Sequence, residues 1–373
     1  MERFEIVPTM NPTEQCEVLV VGLGPTGAAL AGLLGAMGVD TLAIDREPDL
    51  LDLPRAVHFD GEVMRIFQGF GLAPSLEPHL RPSAGMQYNY FHQPDLERGL
   101  RAALGRHPSV RTHVSTEAVS IRSSRDFVDV ELRSTDRASA AGAVRARWVV
   151  GCDGARSGVR EAIGGPLLDL GLHQEWLVVD VELLEEVDLP TATVQYCDPA
   201  RPTTFVNVTG RRRRWEIMIM PGDDAQALLE PAAMWPLLER WIRPGQARLV
   251  RSAIYTFHSL IASRWRRDRL LIAGDSAHQT PPFLGQGMCA GLRDAATCCS
   301  TLTKASAFRT PGHSSKPRSA SAKSFRPPTR PWLLSATDAS LPRERPKSST
   351  CRRPWVPAYT PAPRQPARLP RSP

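Results

Sequence analysis

The chain has 373 residues, and 46 Lys and Arg against 39 Asp and Glu leave a formal net charge of +7. The excess is uneven: residues 302–373 hold 15 Lys and Arg and two acids, Asp338 and Glu344, for +13, so residues 1–301 carry −6 of the total. A mildly acidic body removes the main support for nucleic-acid binding, and seven scattered cysteines without a Cys-x-x-Cys pair exclude a disulfide framework and a zinc site and fit a reducing cytoplasm.

A chain of this size fits two domains and buries about three quarters of its unfolded surface. Residues 1–16 contain acids and no apolar core, so they do not read as a signal peptide, and Met10 is an equal candidate for the start. Residues 17–21 read as a buried parallel strand, followed at once by Gly22-Leu23-Gly24-Pro25-Thr26-Gly27 and a small-residue helix over 28–37. Residues 18–39 are uncharged, but the glycines and Pro25 break them where a strand, turn and helix would break, so no membrane span is expected. A second strand over 42–44 ends on Asp45, 18 residues after Gly27. Strand, Gly-x-Gly-x-x-Gly, helix and acid together form a dinucleotide fingerprint. Gly22 makes the turn, Gly24 admits the pyrophosphate, Gly27 lets helix and strand pack, the helix N-terminus holds the phosphates, and Asp45 accepts from ribose hydroxyls. The motif alone does not separate FAD from NAD.

Arg46 follows Asp45, and Pro54-Arg55-Ala56 offers a second arginine, read either as a cofactor contact or as a surface residue. Gln93-Pro94-Asp95-Leu96-Glu97 starts a helix, with Pro in its first turn. Strands are expected over 110–114, 118–121 and 128–132, then a polar turn over 137–143. Another strand runs into Asp153-Gly154, with Ser157 capping a helix from Gly158. Residues 165–265 change character, with strand-like runs at 177–181, 193–196, 204–208 and 215–220 joined by short turns, which reads as an antiparallel sheet. Arg211 to Arg214 read as a solvated hairpin tip or as a patch that steers an anion. Tyr196, Tyr255 and His258 read as structural residues ahead of ligand contacts.

The most informative stretch is 270–294. An apolar strand ends at Gly274-Asp275, where open α/β sheets bind ligands, and Pro281-Pro282 and the glycines Gly285, Gly287 and Gly291 precede a helix. This string resembles the second flavin motif of the FAD-dependent aromatic hydroxylases (group A flavoprotein monooxygenases), close to the 3-(3-hydroxyphenyl)propionate hydroxylases. The resemblance covers roughly residues 15–296. It implies that Asp275, with Gly274, binds the FAD ribityl chain, that Pro281 and Pro282 lie beside the reactive edge of the flavin, and that Gly285, Gly287 and Met288 give backbone N–H groups to its pyrimidine ring. It further implies that Arg46 and Arg55 attend the cofactor, that Gln93 contacts the ribityl chain, and that Asp153 and Gly154 face FAD and a transient NAD(P)H. Many members have Asn after the Met where this chain has Cys289. The Trp-x-Trp-x-Ile-Pro marker of flavin halogenases fails, because Ile217 stands at its second Trp.

After residue 296 the resemblance stops inside a helix, and residues 302–373 hold 14 of the 34 prolines. Such a segment is expected to be disordered, either a natural basic tail or the product of a disrupted reading frame, the abrupt stop favouring the second. The expected fold is α/β: a Rossmann-like FAD-binding domain (residues 15–164 and 266–300) with an inserted antiparallel substrate sheet (165–265) and a tail (301–373). The resemblance implies hydroxylation of a phenolic acid ortho to its hydroxyl, with FAD, NADH or NADPH and O₂; from composition and patterning no metal, membrane or nucleic acid is expected. A non-catalytic FAD-binding remnant and another flavin oxidoreductase are the alternatives. The sequence does not identify a group that activates the phenol.

Overall fold

The structure is a computed structural model that describes residues 14–50, 55–82, 88–136 and 142–305. Pro54, most of the 137–143 turn and nearly all of the tail lie outside the described residues.

In chain order, β1 (Glu14–Val21), α1 (Pro25–Ala36) and β2 (Thr41–Ile44) form the first crossover. An excursion follows through β3 (His58–Asp60), α2 (Gly61–Gly69), α3 (Ala73–Leu76), β4 (Arg81–Pro82), β5 (Tyr88–Tyr90) and α4 (Gln93–Leu104), with β3, β5 and β4 paired as a small antiparallel sheet. Next come β6 (Val110–His113), β7 (Thr116–Ser123), β8 (Val128–Ser134), β9 (Gly142–Gly151) and α5 (Gly158–Ile163). The inserted region holds β10 (Leu167–Leu183), β11 (Val194–Tyr196), β12 (Thr203–Asn207), β13 (Arg212–Met218), α6 (Pro231–Leu238) and β14 (Ala247–Ala262). The chain then returns through β15 (Arg266–Arg267), β16 (Leu270–Ile272), β17 (His278–Gln279) and α7 (Gly287–Ala305).

The first sheet has the order β15-β16-β9-β1-β2-β6, with β8 and then β7 branching from β9. Val18, Leu19 and Val20 are wholly buried because α1, α4 and α7 cover one face of this sheet and α5 lies against the other. A strand covered on both sides reads as an unbroken apolar run, and for that reason β1, β2, β9 and β16 stand out in the sequence. β16, β9, β1, β2 and β6 run parallel, so their carboxyl ends open onto one edge.

The second sheet is antiparallel, in the order β11-β12-β13-β10-β14-β17. β10 and β14 form a ribbon of 17 and 16 residues, far longer than the expected run at 177–181. Trp215 and Ile217 on β13, with Leu177 and Val179 on β10, point to one face and pack against Met234 and Leu238 of α6. Its last strand, β17, belongs to the loop that follows Asp275 and pairs with Leu260 and Ile261 of β14. The loop after Asp275 and the inserted sheet are therefore one hydrogen-bonded structure.

Two expectations need correction. Arg211 to Arg214 are not a hairpin tip throughout, since β13 begins at Arg212 and Arg214 is buried at 2% exposure. Order does not stop at residue 300 either: α7 runs to Ala305, and Cys298, Cys299 and Leu302 pack into the first core. Among the described residues, no helix is long and apolar enough to cross a membrane.

Candidate functional site

The crevice begins where β1 ends. The chain turns through Gly22, whose φ of +98° is left-handed, and a Cβ there would meet the Cys152 carbonyl oxygen at 2.4 Å. A Cβ on Gly27 would lie 1.9 Å from the Gly22 oxygen, so these two glycines hold helix, turn and neighbouring strand together. Gly24 differs, because a Cβ on it would meet nothing within 4 Å. It is the N-cap of α1 and carries no side-chain cap. The space beside the start of α1 is open and no side chain caps its first turn, which is the arrangement a phosphate completes.

Asp45 stands at the end of β2. Its Oδ2 accepts from the Leu23 N–H at 2.7 Å and its Oδ1 from the Glu47 N–H at 2.9 Å, so it braces the glycine turn. Arg46 is exposed and pairs with Glu47 at 3.1 Å, away from the crevice floor.

The second motif meets the first at Thr26. A Cβ on Gly274 would lie 2.8 Å from Thr26 Oγ1, and one on Gly291 would lie 2.4 Å from the same atom. Gly274 has φ +65°, and its N–H donates to Asp294 Oδ2 at 3.0 Å. His278 Nε2 lies 2.7 Å from that oxygen. The Asp275 side chain is open to solvent, yet the surrounding protein desolvates it and pushes its carboxyl pKa up, against the pull of Arg55 and His278. A carboxylate both open and enclosed lies on the floor of a concavity.

Asp153 and Gly154 form the third side. Ser276 Oγ donates to Asp153 Oδ1 at 3.0 Å and accepts from the Gly154 N–H at 2.9 Å, while Asp153 Oδ2 accepts from the Val159 N–H at 3.3 Å. Asp153 thereby ties the end of β9 to α5 and to the Gly274–Ser276 turn. Gln93 is buried: its Oε1 accepts from the N–H groups of Arg55 and Ala56 at 2.7 and 2.6 Å, and its Nε2 donates to Glu97 at 2.6 Å. It positions the Arg55 segment beside Asp275.

From Asp275 the chain crosses to the second sheet. Residues 282–284 form a short turn after Pro281, and Gly285 at φ +61° presses against His58, where a Cβ would meet Cε1 at 2.2 Å. Gly287 opens α7, with Met288 half-buried behind it. The Phe283 ring lies 5.3 Å from that of Trp176, and the Gln195 side-chain amide donates to the Phe283 carbonyl oxygen.

Since Trp215 and Ile217 point into the core with α6, alternation puts Arg214, Glu216 and Met218 on the face toward Phe283 and Arg55. Arg214 Nε donates to Asp180 Oδ1 at 2.7 Å, and its Nη1 to the Arg55 carbonyl oxygen at 2.6 Å. Arg251 Nη2 donates to Asp180 Oδ2 at 2.8 Å and its Nη1 to the Tyr255 hydroxyl at 3.0 Å. Burial pulls the Arg214 pKa down, but Asp180 outweighs it and the net shift is upward. Tyr196 accepts from Trp241 Nε1 at 3.0 Å, and His258 faces His173 on the exposed end of the ribbon.

The crevice thus gathers Gly22, Gly24, Gly27, Asp45, Arg55, Asp153, Gly154, Gly274 and Asp275, while Arg46 stands outside on the surface. The sequence motifs assign no role to Thr26, Ser276, Asp294, Asp180 or Arg251. Only Asp294 carried a local signal, as an acid one helical turn past Gly291. The residues present fit FAD: an open helix N-terminus for the pyrophosphate, a carboxylate on the crevice floor, and a proline-glycine loop against the second sheet.

Residues 15–91 and 79–309 match the family described as FAD binding domain. The chain is 40% identical over 307 residues to a probable NADH-specific resorcinol 4-hydroxylase of Rhodococcus jostii, covering 75% of this chain and 57% of the relative. It is 37% identical over 301 residues to a 3-(3-hydroxy-phenyl)propionate/3-hydroxycinnamic acid hydroxylase of Burkholderia vietnamiensis, covering 74% and 54%. The chain therefore spans just over half the length of these curated relatives. Among solved structures, p-nitrophenol 4-monooxygenase PnpA from Pseudomonas putida matches with a TM-score of 0.71 at 22% identity, covering 79% of this chain and 81% of that one. The flavin-dependent monooxygenase PieE, in complex with FAD and substrate, matches with the same TM-score and identity over 79% and 58%, a likeness of fold. With both glycine motifs, the crevice and the family match in agreement, the chain belongs to the FAD-binding-domain family, among the group A flavoprotein aromatic hydroxylases.

Proposed function

We propose that this chain forms the FAD and substrate-facing part of an NAD(P)H-dependent monooxygenase of the reducing cytoplasm that hydroxylates a phenol ortho to its hydroxyl. In this reading residues 15–164 and 266–300, with the rest of α7, hold FAD, and residues 165–265 build the substrate wall. The observation that carries it is the contact of the loop after Asp275 with the wall, through Trp176, Gln195 and Phe283. A wall of aromatic and polar side chains in front of that loop suits a protein that brings an aromatic ring to a flavin.

FAD, when bound, supplies the hydride acceptor and the oxygen chemistry. The chain's own residues bind and orient: the α1 N-terminus and Gly24 take the pyrophosphate, Asp45 a ribose, and Asp275 the ribityl hydroxyls. Pro281, Pro282, Gly285, Gly287 and Met288 frame the ring with stiff backbone, and Trp176 and Phe283 keep water from the space before it.

Two substrate classes follow from the relatives. One is a hydroxyphenylpropanoate-like acid, and the other is a resorcinol-like diol. The arginines on the wall are engaged with Asp180, which favours the diol, and the first relative's name favours NADH. The test is to load the purified chain with FAD and follow flavin reduction and product formation with NADH or NADPH, resorcinol or 3-(3-hydroxyphenyl)propanoate. Flavin reduction that neither phenol accelerates would sink the reading.

A further inference from the structure

The wall contains one charged group that its neighbours do not account for. Glu216 is 9% exposed, and among the described residues its carboxylate makes no hydrogen bond; its nearest ionic partner, Arg214 Nη1, lies 4.0 Å away. That guanidinium is already engaged with Asp180 and with the Arg55 carbonyl oxygen. A nearly buried carboxylate that no protein donor meets, and whose oxygens are not sealed from the crevice, can take its donor from a ligand.

Its place in the sheet says which ligand. On β13, Arg214 at i−2 reaches the Arg55 segment, and across the sheet Trp176, paired in register with Met218 at i+2, reaches Phe283. Glu216 lies between these two supports, flanked by Val178 on β10 and Thr204 on β12. It therefore fronts the crevice between the Arg55 and Phe283 sides. Arg214 on its own strand and Asp180 on β10 bear on it electrostatically, and Arg251 and Tyr255 of β14, paired with Asp180 and Trp176, lie on the same face of the sheet.

Resting on the functional reading above, we propose that Glu216 recognises the substrate by accepting a hydrogen bond from its phenolic hydroxyl. A carboxylate here selects a hydroxyl donor and repels an anionic group, so the preferred ring carries hydroxyls rather than a carboxylate near this wall. The bond also draws electron density toward the ring, as activation at the ortho carbon requires. Burial pushes the Glu216 carboxyl pKa up, Arg214 pulls it down and Asp180 pushes it up again, for a net rise. The ionised form is the stronger acceptor, so recognition weakens on acidification from a higher pH than for an ordinary carboxylate.

The experiment compares two probes, resorcinol and its dimethyl ether, titrated against the FAD-loaded full chain by the perturbation of the flavin spectrum. The native chain should prefer resorcinol by roughly ten- to hundredfold, the range of a hydrogen bond to a charged acceptor. Glu216→Gln should remove most of that preference together with its loss at low pH, and Glu216→Leu should remove all of it, serving also where the glutamine variant fails to fold. A preference of equal size in the native chain and in either folded variant overturns the assignment while leaving the functional reading intact. Failure of the FAD-loaded native chain to bind either ring overturns both.

Discussion

Arg214 and Asp180 form an ion pair whose side chains are 2% and 11% exposed, in the wall of the crevice. Removing one partner of such a pair strands the other, at a cost of about 3–5 kcal/mol. Asp180→Ala should therefore lower the stability of the chain by that order in chemical denaturation, because it removes the carboxylate that Arg214 and Arg251 share. Replacing Asp180 and Arg214 together with apolar residues of similar volume should cost less than the single change; equal losses would contradict the pairing. Asp275 is the opposite kind of residue, since its side chain is open to the crevice and holds up no other part of the fold. Asp275→Ala should weaken FAD binding at least tenfold, about 1.4 kcal/mol, with the far-ultraviolet circular dichroism unchanged, and an unaltered FAD affinity would remove it from the site. Asp275 was legible because a short motif carries it. The Asp180 pair was not, because its members lie 34 residues apart and four arginines in a row look like a surface. Glu216 left one trace, a charge between Trp215 and Ile217 where alternation demands a second, partly buried face.

At the scale of the element, the three glycines before and within α1 separate by what their missing side chains would strike. A Cβ on Gly27 would meet backbone at 1.9 Å, whereas one on Gly24 would enter empty space. Gly27→Ala should distort or unfold the β1–α1 unit, seen as lost circular dichroism. Gly24→Val should fold, with a melting temperature near that of the parent without flavin, yet bind FAD weakly. Tight FAD binding by Gly24→Val would mean that the pyrophosphate lies elsewhere. The turn before β17 offers a second test. Burial lowers the His278 pKa, but the hydrogen bond and charge of Asp294 raise it more, so in the folded chain it lies above that of an ordinary histidine. A histidine with a raised folded pKa adds stability below its unfolded pKa and loses it as pH rises through the folded one. Asp294→Asn should therefore cost more stability at pH 5.5 than at pH 8.5, and a penalty independent of pH would count against the pair. The strands around these turns were legible as unbroken apolar runs. The start of β13 and the run of α7 to Ala305 were not, because tertiary burial of Arg214 and Leu302 overrides what the local residues favour.

For the molecule as a whole, the division into a parallel sheet with helices on its faces and a separate antiparallel sheet was legible from the change of period near residue 165. How the second sheet lies against the first was not, since the parts that join them are a two-strand pairing and a few side chains distant in sequence. That join has a thermodynamic consequence. In the proposed reading, residues 275–279 carry both the carboxylate that meets the cofactor and the backbone that, as β17, extends the substrate sheet. A ligand that settles one end of such a segment alters the free energy of settling the other, and the effect must be equal in both directions. If resorcinol tightens FAD by some factor, FAD tightens resorcinol by that same factor. Measured by calorimetry with each ligand added first, the two factors should agree and exceed one. Cutting the tie with Gln279→Pro, which leaves Asp275 and Glu216 untouched, should bring both toward one.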